Sequence, residues 1–280
     1  MLFSEEIVSQ LDIKIESHYI CYFDILGYRE YMEENPTKHK TFLVNLEAVI
    51  SKVESLIRYN NNGFDIKYRT YSDNFLIFAK RISPSSDSEM LKTFSILMRK
   101  IQIVLLGEFE LLIRGGITIG EFFSNEQIVF GSALVRAYEL ESTIAKNPRI
   151  VIDIDKFELD INALLGKRLI SLDFDNCFYV NYIDSYESIM FTRGKIISLV
   201  NTKCKYPYNV ADGNKILLRE KIIEKYIWLL TKFNSQCEQI NYPKLCIEYE
   251  LKINERLMKP EIRITKTLKT DVIIRRLSNG

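Results

Sequence analysis

The first 155 residues change repeatedly between two patterns of hydrophobic positions, one typical of strands and one typical of helices. Runs rich in β-branched and aromatic residues predict strands over residues 18–25, 64–71, 74–79 and 109–123. Apolar residues at helical spacing predict helices over residues 40–59, 89–106 and 132–144. This mixed order predicts an α+β fold, in which a mostly antiparallel sheet is flanked by helices.

Glycine, proline and polar clusters mark where these patterns are expected to break. A short helix over 28–34 should end before Pro36, and Gly115-Gly116 should interrupt the fourth strand. The remaining expectations are short strands within 127–130, 149–154 and 169–183, a loop over 209–214, a long helix over 216–233, a helical or mixed segment over 242–258, and a basic edge strand over 261–277.

The composition is that of an ordinary globular protein, and it narrows the chemistry. With 47% hydrophobic residues and a net charge of +1, the chain has no general attraction for nucleic acid or membranes. It begins without a basic, apolar signal sequence and has no apolar run long enough to span a bilayer, so we expect a cytoplasmic protein. Two histidines and five scattered cysteines argue against a zinc site or a Cys/His nucleophile. Catalysis would therefore use acidic, basic or hydroxyl side chains, or a metal held by oxygen ligands.

Two carboxylates lie at the ends of predicted strands. Asp24 ends the first strand three residues before Gly27, and Asp73 occupies the tip of the predicted hairpin. Each has a purely structural explanation, because Asp24 can cap a helix starting near Tyr28 and aspartate is common in turns. Together, however, two acidic tips on adjacent strands are typical of sites in which two divalent ions about 3.5–4 Å apart assist phosphoryl transfer.

Four sequence blocks carry a resemblance to a known family. The blocks are Phe23-Asp-Ile-Leu-Gly-Tyr28, Ser72-Asp-Asn74, Arg114-Gly-Gly-Ile-Thr-Ile-Gly-Glu121 and Val129-Phe-Gly-Ser-Ala-Leu-Val-Arg-Ala-Tyr-Glu-Leu-Glu141. In order and spacing they resemble the catalytic domain of class III nucleotidyl cyclases, and the third block is the most specific. The resemblance covers roughly residues 18–155. It implies a ferredoxin-like palm core within a cyclase-like catalytic domain over 18–184. The pattern outside it predicts an arm over 1–17 and a helical and strand extension of unknown role over 185–280.

The resemblance also implies a site. Asp24, Asp73 and the Ile25 carbonyl would hold two Mg²⁺ or Mn²⁺ ions. The nucleotide-binding positions that it implies are Leu26, Gly27, Tyr28, Arg69 and Ile128. Two chains would form a homodimer, with each site taking metal ligands from one chain and base contacts from the other. The substrate would be a nucleoside triphosphate, and neither nucleic acid nor a membrane is an expected partner.

The chain departs from the family where a helical Asn and Arg stabilise the transition state, because Val135 and Glu139 occupy those positions. Ser132 and Arg136 share a helix face three residues earlier, a shift of about 4.5 Å along the axis. Arg136, with Ser132 beside it, is therefore a candidate substitute donor. The alternative is a surface arginine on a helix whose catalytic pair has been lost.

The base-selecting positions depart as well, since Arg69 and Ile128 match neither the adenylate nor the guanylate pattern. On a few residues, the chain looks more like the pyrimidine cyclases of Pycsar anti-phage systems. The resemblance thus implies conversion of UTP or CTP to a 3′,5′-cyclic mononucleotide and pyrophosphate, a second messenger for an effector protein.

Other interpretations stay open at this point. The chain can be a catalytically inactive relative that acts as a nucleotide-binding sensor or scaffold. A diguanylate cyclase or polymerase relative is disfavoured, because no Gly-Gly-Asp/Glu-Glu-Phe hairpin is present. For Arg114, a salt bridge within the sheet is preferred over a catalytic role. Four tyrosines are assigned to the core or an interface, or to stacking on a base, namely Tyr22, Tyr68, Tyr71 and Tyr138.

Overall fold

The computed structural model of the 280-residue chain describes residues 14–28, 39–204, 213–254 and 259–266. The predicted helix over 28–34, the first thirteen residues of the predicted arm and most of the predicted loop over 209–214 lie outside the described residues. The chain divides into two compact units. The first comprises Met1–Leu97, Ile113–Ala145 and Arg149–Val180, and the second comprises Met98–Leu112, Lys146–Pro148 and Asn181–Gly280.

An eight-stranded sheet organises the first unit. Its strands are β1 (Glu16–Ile25), β2 (Lys67–Tyr71), β3 (Asn74–Lys80), β4 (Ile113–Ser124), β5 (Val129–Phe130), β6 (Ile150–Ile152), β7 (Ile170–Leu172) and β8 (Phe178–Val180). The order is β2-β3-β1-β4-β6-β8-β7, with β5 paired to β4. Only the β4–β6 pair is parallel among these described strands. The predicted α+β class with a mostly antiparallel sheet and flanking helices is therefore confirmed.

The helices follow the predicted hydrophobic spacing closely. They are α1 (His39–Asn60), α2 (Asp87–Phe109), α3 (Ser132–Glu139) and α4 (Asn162–Gly166), with short 3₁₀ turns at Pro84–Ser86 and Ile154–Lys156. The predicted helix over 132–144 is α-helical only as far as Glu139, and Leu140–Ile144 forms a π-helical turn. Such wider turns are typically single insertions at functional positions.

The two faces of the sheet follow from the strand register. Successive side chains alternate between faces, and Phe23 of β1 stacks on Phe75 of β3 with ring centroids 4.9 Å apart. On the opposite face, Ile20, Leu76 and Phe122 pack against Ala133 and Ala137 of α3. Helix α3 therefore covers the face of the sheet that carries the even-numbered residues of β1 and β4.

The expectation that Gly115-Gly116 interrupts the fourth strand is wrong, because β4 runs through both glycines. A Cβ atom on Gly115 would lie 2.4 Å from the Tyr22 carbonyl oxygen, and one on Gly116 would lie 2.3 Å from the Leu140 Cβ. These glycines therefore allow close approach of β1 on one side and of the end of the α3 region on the other.

The second unit contains helices α5 (Tyr186–Lys203) and α6 (Gly213–Gln239), a 3₁₀ turn at Pro243–Leu245, and the antiparallel pair β9 (Glu248–Asn254) and β10 (Lys259–Lys266). The segment expected to be helical or mixed, 242–258, is mixed where it is described, with a 3₁₀ turn followed by strand β9. Helix α5 begins with a capping box, in which the Ser185 hydroxyl accepts from the Ser188 backbone NH. None of the helices in the described ranges has the length and apolar character needed to cross a membrane.

Candidate active site

The two predicted metal-binding carboxylates lie at neighbouring strand ends. Asp24 is the penultimate residue of β1, where it pairs with Asn74 of β3 and Arg114 of β4. Asp73 lies in the tight turn between β2 and β3, where Ser72 adopts a left-handed φ of 59°. The Ile25 backbone NH donates to the Asp73 carbonyl at 3.2 Å, so the hairpin tip is fastened to the end of β1.

The negative charges of Asp24 and Asp73 repel each other. Burial raises the pKa of Asp73, and the nearby charge of Asp24 raises it further. A partly buried carboxylate beside a second one is costly to ionise unless a cation is supplied. The end of β1 and the hairpin tip therefore form a place where a bound cation would be stabilised.

Arg114 supplies part of the missing positive charge. Its Nε and Nη2 atoms each donate to Asp24 at 3.1 Å, and Nη2 also lies 2.6 Å from Glu141 Oε1. The sequence interpretation preferred a salt bridge for Arg114, and the structure shows ion pairs with both carboxylates. These pairs also place Arg114 directly beside the candidate metal ligand Asp24.

Glu141 is a residue of this cluster that sequence reasoning missed. It is only 3% exposed, and burial, followed by the charge of Asp24, raises its pKa to about 7. The available signal was its spacing, because Ala133, Ala137 and Glu141 follow each other at intervals of four. That spacing puts an acid on the apolar face of the helix, which contacts the sheet.

An apolar groove lies beside the carboxylates. It has a volume of about 390 Å³ and is lined by Tyr22, Tyr71, Leu76, Val129, Leu134, Val135 and Tyr138. Tyr22 donates from its hydroxyl to Asn74 Oδ1 at 2.7 Å, and burial together with Glu141 and Asp24 raises its pKa to about 12. Three of the four tyrosines left open by the sequence therefore line this groove.

The predicted nucleotide-binding positions do not all lie together. Leu26 and Gly27 form the turn after β1, with Gly27 at a φ of 85°, and Tyr28 follows at the edge of the described residues. Arg69 instead donates from Nη2 to the Asn125 carbonyl at 3.0 Å and lines a separate cleft that includes neither Asp24 nor Asp73.

Ile128 is exposed in the loop before β5. Within one chain, Arg69 and Ile128 are thus not brought to the carboxylates.

The candidate donor Arg136 is also occupied elsewhere. Its Nε and Nη2 atoms donate to Asp153 at 2.9 Å each, and the Thr118 hydroxyl donates to the same carboxylate at 2.9 Å. Thr118 pairs with Ile20, four residues before Asp24 on β1, which is roughly 13 Å along the strand. The anchored guanidinium is therefore remote from Asp24 of the same chain, and its donor role stays a prediction.

The other helix positions lie along α3, from its first residue to its last. Ser132 is its first residue, after Gly131 with a φ of 141°, and its hydroxyl packs near Gly120 of β4. Val135 is exposed, and Glu139 lies 3.5 Å from Arg136. Neither Val135 nor Glu139 is in a position to donate a hydrogen bond to a phosphate, since one side chain is apolar and the other anionic.

The donor set suits a hard divalent cation. In the described part of the chain, no three His, Cys, Asp or Glu side chains are grouped so as to hold a metal ion by themselves. Mg²⁺ is nevertheless commonly bound through one or two carboxylates together with substrate phosphates, because it keeps much of its hydration. The oxygen atoms of Asp24 and Asp73, with the unfavourable charge on Asp73, therefore fit Mg²⁺ or Mn²⁺ in the presence of a nucleotide.

The comparisons with known proteins give distant similarities in fold. No protein-family model matches the chain, and no curated protein does. Among solved structures, a class III adenylyl cyclase-like ATP-binding protein from Pseudomonas aeruginosa is 12% identical with a TM-score of 0.41, covering 64% of this chain and 43% of that protein. An adenylate/guanylate cyclase/hydrolase from Silicibacter pomeroyi is 15% identical with a TM-score of 0.39, covering 60% of this chain and 96% of that one.

A bacterial light-regulated adenylyl cyclase is 13% identical with a TM-score of 0.37, covering 66% of this chain and 57% of that protein. This chain thus spans less than half the length of the Pseudomonas protein. All three TM-scores lie below 0.5, so the case for a function depends on the residues of this chain itself.

Proposed function

We propose that this protein is a nucleotidyl cyclase, which converts a nucleoside triphosphate to a 3′,5′-cyclic mononucleotide and pyrophosphate. The observation that carries the proposal is the junction of Asp24 and Asp73, where the Ile25 NH holds the hairpin tip against β1. Both carboxylates lie at the same strand ends, and the pKa of Asp73 is raised by burial and by Asp24. A site of this kind gains most from binding divalent cations.

Different residues would bind the metal ions and the phosphates. Asp24 and Asp73, with the Ile25 carbonyl, would hold Mg²⁺ or Mn²⁺. When bound, such ions make the ribose 3′-hydroxyl more acidic and offset the negative charge of the triphosphate. By the sequence resemblance, backbone NH groups around Leu26, Gly27 and Tyr28 would receive phosphate oxygens.

A homodimer would complete the site. Arg136 is anchored on Asp153, roughly 13 Å along the strand from Asp24 of its own chain, and Arg69 lines a different cleft. Exposed apolar side chains near the groove offer a surface for a second copy, namely Tyr71, Ile128, Phe130, Val135 and Tyr138. An isologous contact through this surface would let each chain supply phosphate and base contacts to its partner's carboxylates.

The finer assignment rests on the sequence resemblance. Arg69 and Ile128 replace the purine-selecting residues, which supports UTP or CTP as the substrate. A cytoplasmic pyrimidine cyclase whose product activates an effector protein during phage infection is the corresponding cellular role. The division into an arm, a catalytic domain over 18–184 and an extension over 185–280 belongs to the same proposal.

A second candidate function is a catalytically inactive, nucleotide-binding sensor or scaffold. Two observations favour it: Val135 and Glu139 stand at the family's donor positions, and Nε and Nη2 of Arg136 donate to Asp153. This alternative predicts binding of nucleotide without turnover.

The experiment that separates the two is incubation of the protein with each of the four nucleoside triphosphates and Mn²⁺, with products identified by mass spectrometry. We expect a cyclic pyrimidine mononucleotide, and Asp73→Ala should abolish it without lowering the melting temperature, because this change removes an unfavourable buried charge. Asp65→Ala is the matched control, since Asp65 is exposed in the same hairpin region and pairs with Lys67 at the surface. Nucleotide binding with no product from any substrate, with Mg²⁺ or Mn²⁺, would establish the inactive alternative instead.

A further inference from the structure

Two cysteines that are scattered in the sequence meet in the second unit. Cys237 lies in the last turn of helix α6, and Cys246 directly follows the 3₁₀ turn that precedes strand β9. Cys246 Sγ lies 3.7 Å from the carbonyl oxygen of Asn234, which is three residues before Cys237 on the same helix. A hydrogen bond joins the two thiols, and neither of them is part of a disulfide in the structure.

Backbone and side-chain hydrogen bonds hold the two thiols in place. The Asn234 amide donates to the Ile247 carbonyl at 3.0 Å, and the Ile247 NH donates back to Asn234 Oδ1 at 2.7 Å. The Tyr242 NH donates to the Cys237 carbonyl at 2.8 Å. These bonds fasten the segment that carries Cys246 to the helical turn that carries Cys237. Two neighbouring thiols fixed in this way need little main-chain movement to reach the S–S bond length of about 2.05 Å.

A buried cation lies beside this thiol pair. Arg193 of α5 is only 6% exposed, and it donates from Nε to the Leu245 carbonyl at 2.8 Å and from Nη2 to the Cys246 carbonyl at 3.4 Å. In the described part of the chain its partners are these carbonyl oxygens and the two thiols, and no carboxylate pairs with it. Burial of an arginine without a carboxylate is costly, and a neighbouring thiolate would offset that cost.

The two thiols differ in access to solvent. Cys237 is completely buried, whereas Cys246 is partly exposed. Burial raises the pKa of both thiols, that of Cys237 to about 12, and the charge of Glu238 adds to the rise at Cys246. The hydrogen bond from Cys237 and the charge of Arg193 act on Cys246 in the opposite direction. Cys246 is therefore the sulfur that an oxidant from solvent reaches first, and Cys237 is placed to react with the product.

We propose that Cys237 and Cys246 form a reversible, peroxide-sensitive disulfide between the end of α6 and the turn before β9. The Cys246 sulfur attacks hydrogen peroxide and breaks its O–O bond, which gives a sulfenic acid and water. The Cys237 sulfur then attacks the Cys246 sulfur, and the hydroxyl leaves with the Cys237 proton as a second water. The two thiols lose two electrons, and the peroxide takes them up. This inference does not depend on the proposed cyclase function.

The test is peptide mapping of the whole wild-type chain after exposure to hydrogen peroxide. Remaining thiols are alkylated before digestion with trypsin under non-reducing conditions. Lys244 lies between the two cysteines, so trypsin separates residues 233–244 from residues 245–252 unless a disulfide joins them. We expect one linked species, lighter by two hydrogens than the sum of the two peptides, which dithiothreitol separates again. Recovery of these peptides only as separate alkylated or overoxidised species would overturn the inference.

Two variants sharpen the result. Cys177→Ser is the matched control, because Cys177 is also partly exposed but lies in the first unit, and its linked peptide should be as abundant as that of the wild type. Cys237→Ala should lose the linked peptide completely and accumulate a sulfenic acid at Cys246, which dimedone labels. Equal dimedone labelling in the wild type, or a linked peptide found only in disulfide-joined dimers on a non-reducing gel, would overturn the inference. If Cys237→Ala does not fold, peptide mapping of the wild type and the gel still decide.

Discussion

Arg149 and Arg114 of the first unit are each held by two carboxylates. In the two clusters, however, the pKa of an acidic partner shifts in opposite directions. Arg149 is completely buried and pairs with Asp173 and Asp175 while also donating to the Ile144 carbonyl. Its hydrogen bond, followed by its charge, lowers the pKa of Asp175 below the ordinary value. In the other cluster, Arg114 pairs with Asp24 and Glu141, yet the pKa of Glu141 is raised to about 7.

The difference lies in what surrounds the ion pairs. The Arg149 cluster stabilises the charged form of Asp175. Around Arg114, Asp73 adds a third carboxylate, and the charged forms of both Asp73 and Glu141 are disfavoured by burial and by their neighbours. Unfavourable charge retained at a strand edge is typical of a functional site, whereas buried charge paired with acids is typical of a structural one.

The largest effect should come from breaking the structural cluster. Arg149→Met leaves two carboxylates without their cation, one of them fully buried, so we expect the free energy of unfolding to fall by about 3–5 kcal/mol. Urea unfolding followed by circular dichroism measures this. Arg58→Met is the control, since Arg58 forms only an exposed pair with Glu54 worth less than about 1 kcal/mol. A loss as small as the control's would show that the Arg149 cluster is dispensable for stability.

The next effect is on turnover, and it tests whether the second chain of the proposed homodimer contributes to the site. Arg136→Ala should reduce turnover about 10²–10³-fold if Arg136 donates to the phosphate. The variant should also lose some melting temperature, because it leaves the largely buried Asp153 carboxylate without its cation. Because the donor and the carboxylates are proposed to come from different chains, mixing Arg136→Ala with Asp73→Ala should restore part of the activity. Arg58→Ala serves as the control. Full activity in Arg136→Ala would mean that Asp153 alone is its partner, and no recovery on mixing would argue against shared sites.

The most gradual effect is a dependence of stability on pH. The folded pKa of Glu141, about 7, lies above the unfolded value of 4.5, so folded protein binds more protons between these values. Its contribution is fully present below about pH 4.5 and is lost as the pH rises toward 7, with a slope of at most about 1.4 kcal/mol per pH unit. Asp175 and Asp153, whose folded pKa values are lowered, act oppositely and lose their contribution in acid.

Unfolding in urea at several pH values, without divalent ions, measures this slope. Glu141→Gln should flatten the decline between pH 4.5 and 7, whereas Glu139→Gln should leave it unchanged. An unchanged slope in Glu141→Gln would mean that other buried groups, such as Asp73, dominate the titration.

Much of the fold could be predicted because it depends on local pattern. The strand at β1, the hairpin of β2 and β3, and helices α1 and α2 all follow from hydrophobic spacing within a single segment. Gly115-Gly116 misled the prediction, since glycine has the same local signal whether it breaks a strand or admits a neighbour. The reason for these glycines lies in Tyr22 and Leu140, which are distant in sequence.

The candidate site was predicted only in part, because some of its contacts join segments that are distant in sequence. Asp24 and Asp73 ended recognisable strands, so their proximity followed once the strands were paired. The contact of Glu141 with Arg114 depends on how the helix region docks onto β4, and that of Arg136 with Asp153 joins α3 to the segment after β6. Neither docking geometry is encoded in a local pattern.

The bare backbone at Gly116 also has a mechanical consequence. Where side chains separate a helix from a strand, rotamer changes can absorb a small displacement of either element. At Gly116 a Cβ would lie only 2.3 Å from the Leu140 Cβ and 3.1 Å from the Ala137 carbonyl oxygen, atoms whose positions are set by the main chain. We therefore expect a displacement of the end of the helix region to move β4 directly, and with it Arg114, two residues before Gly116.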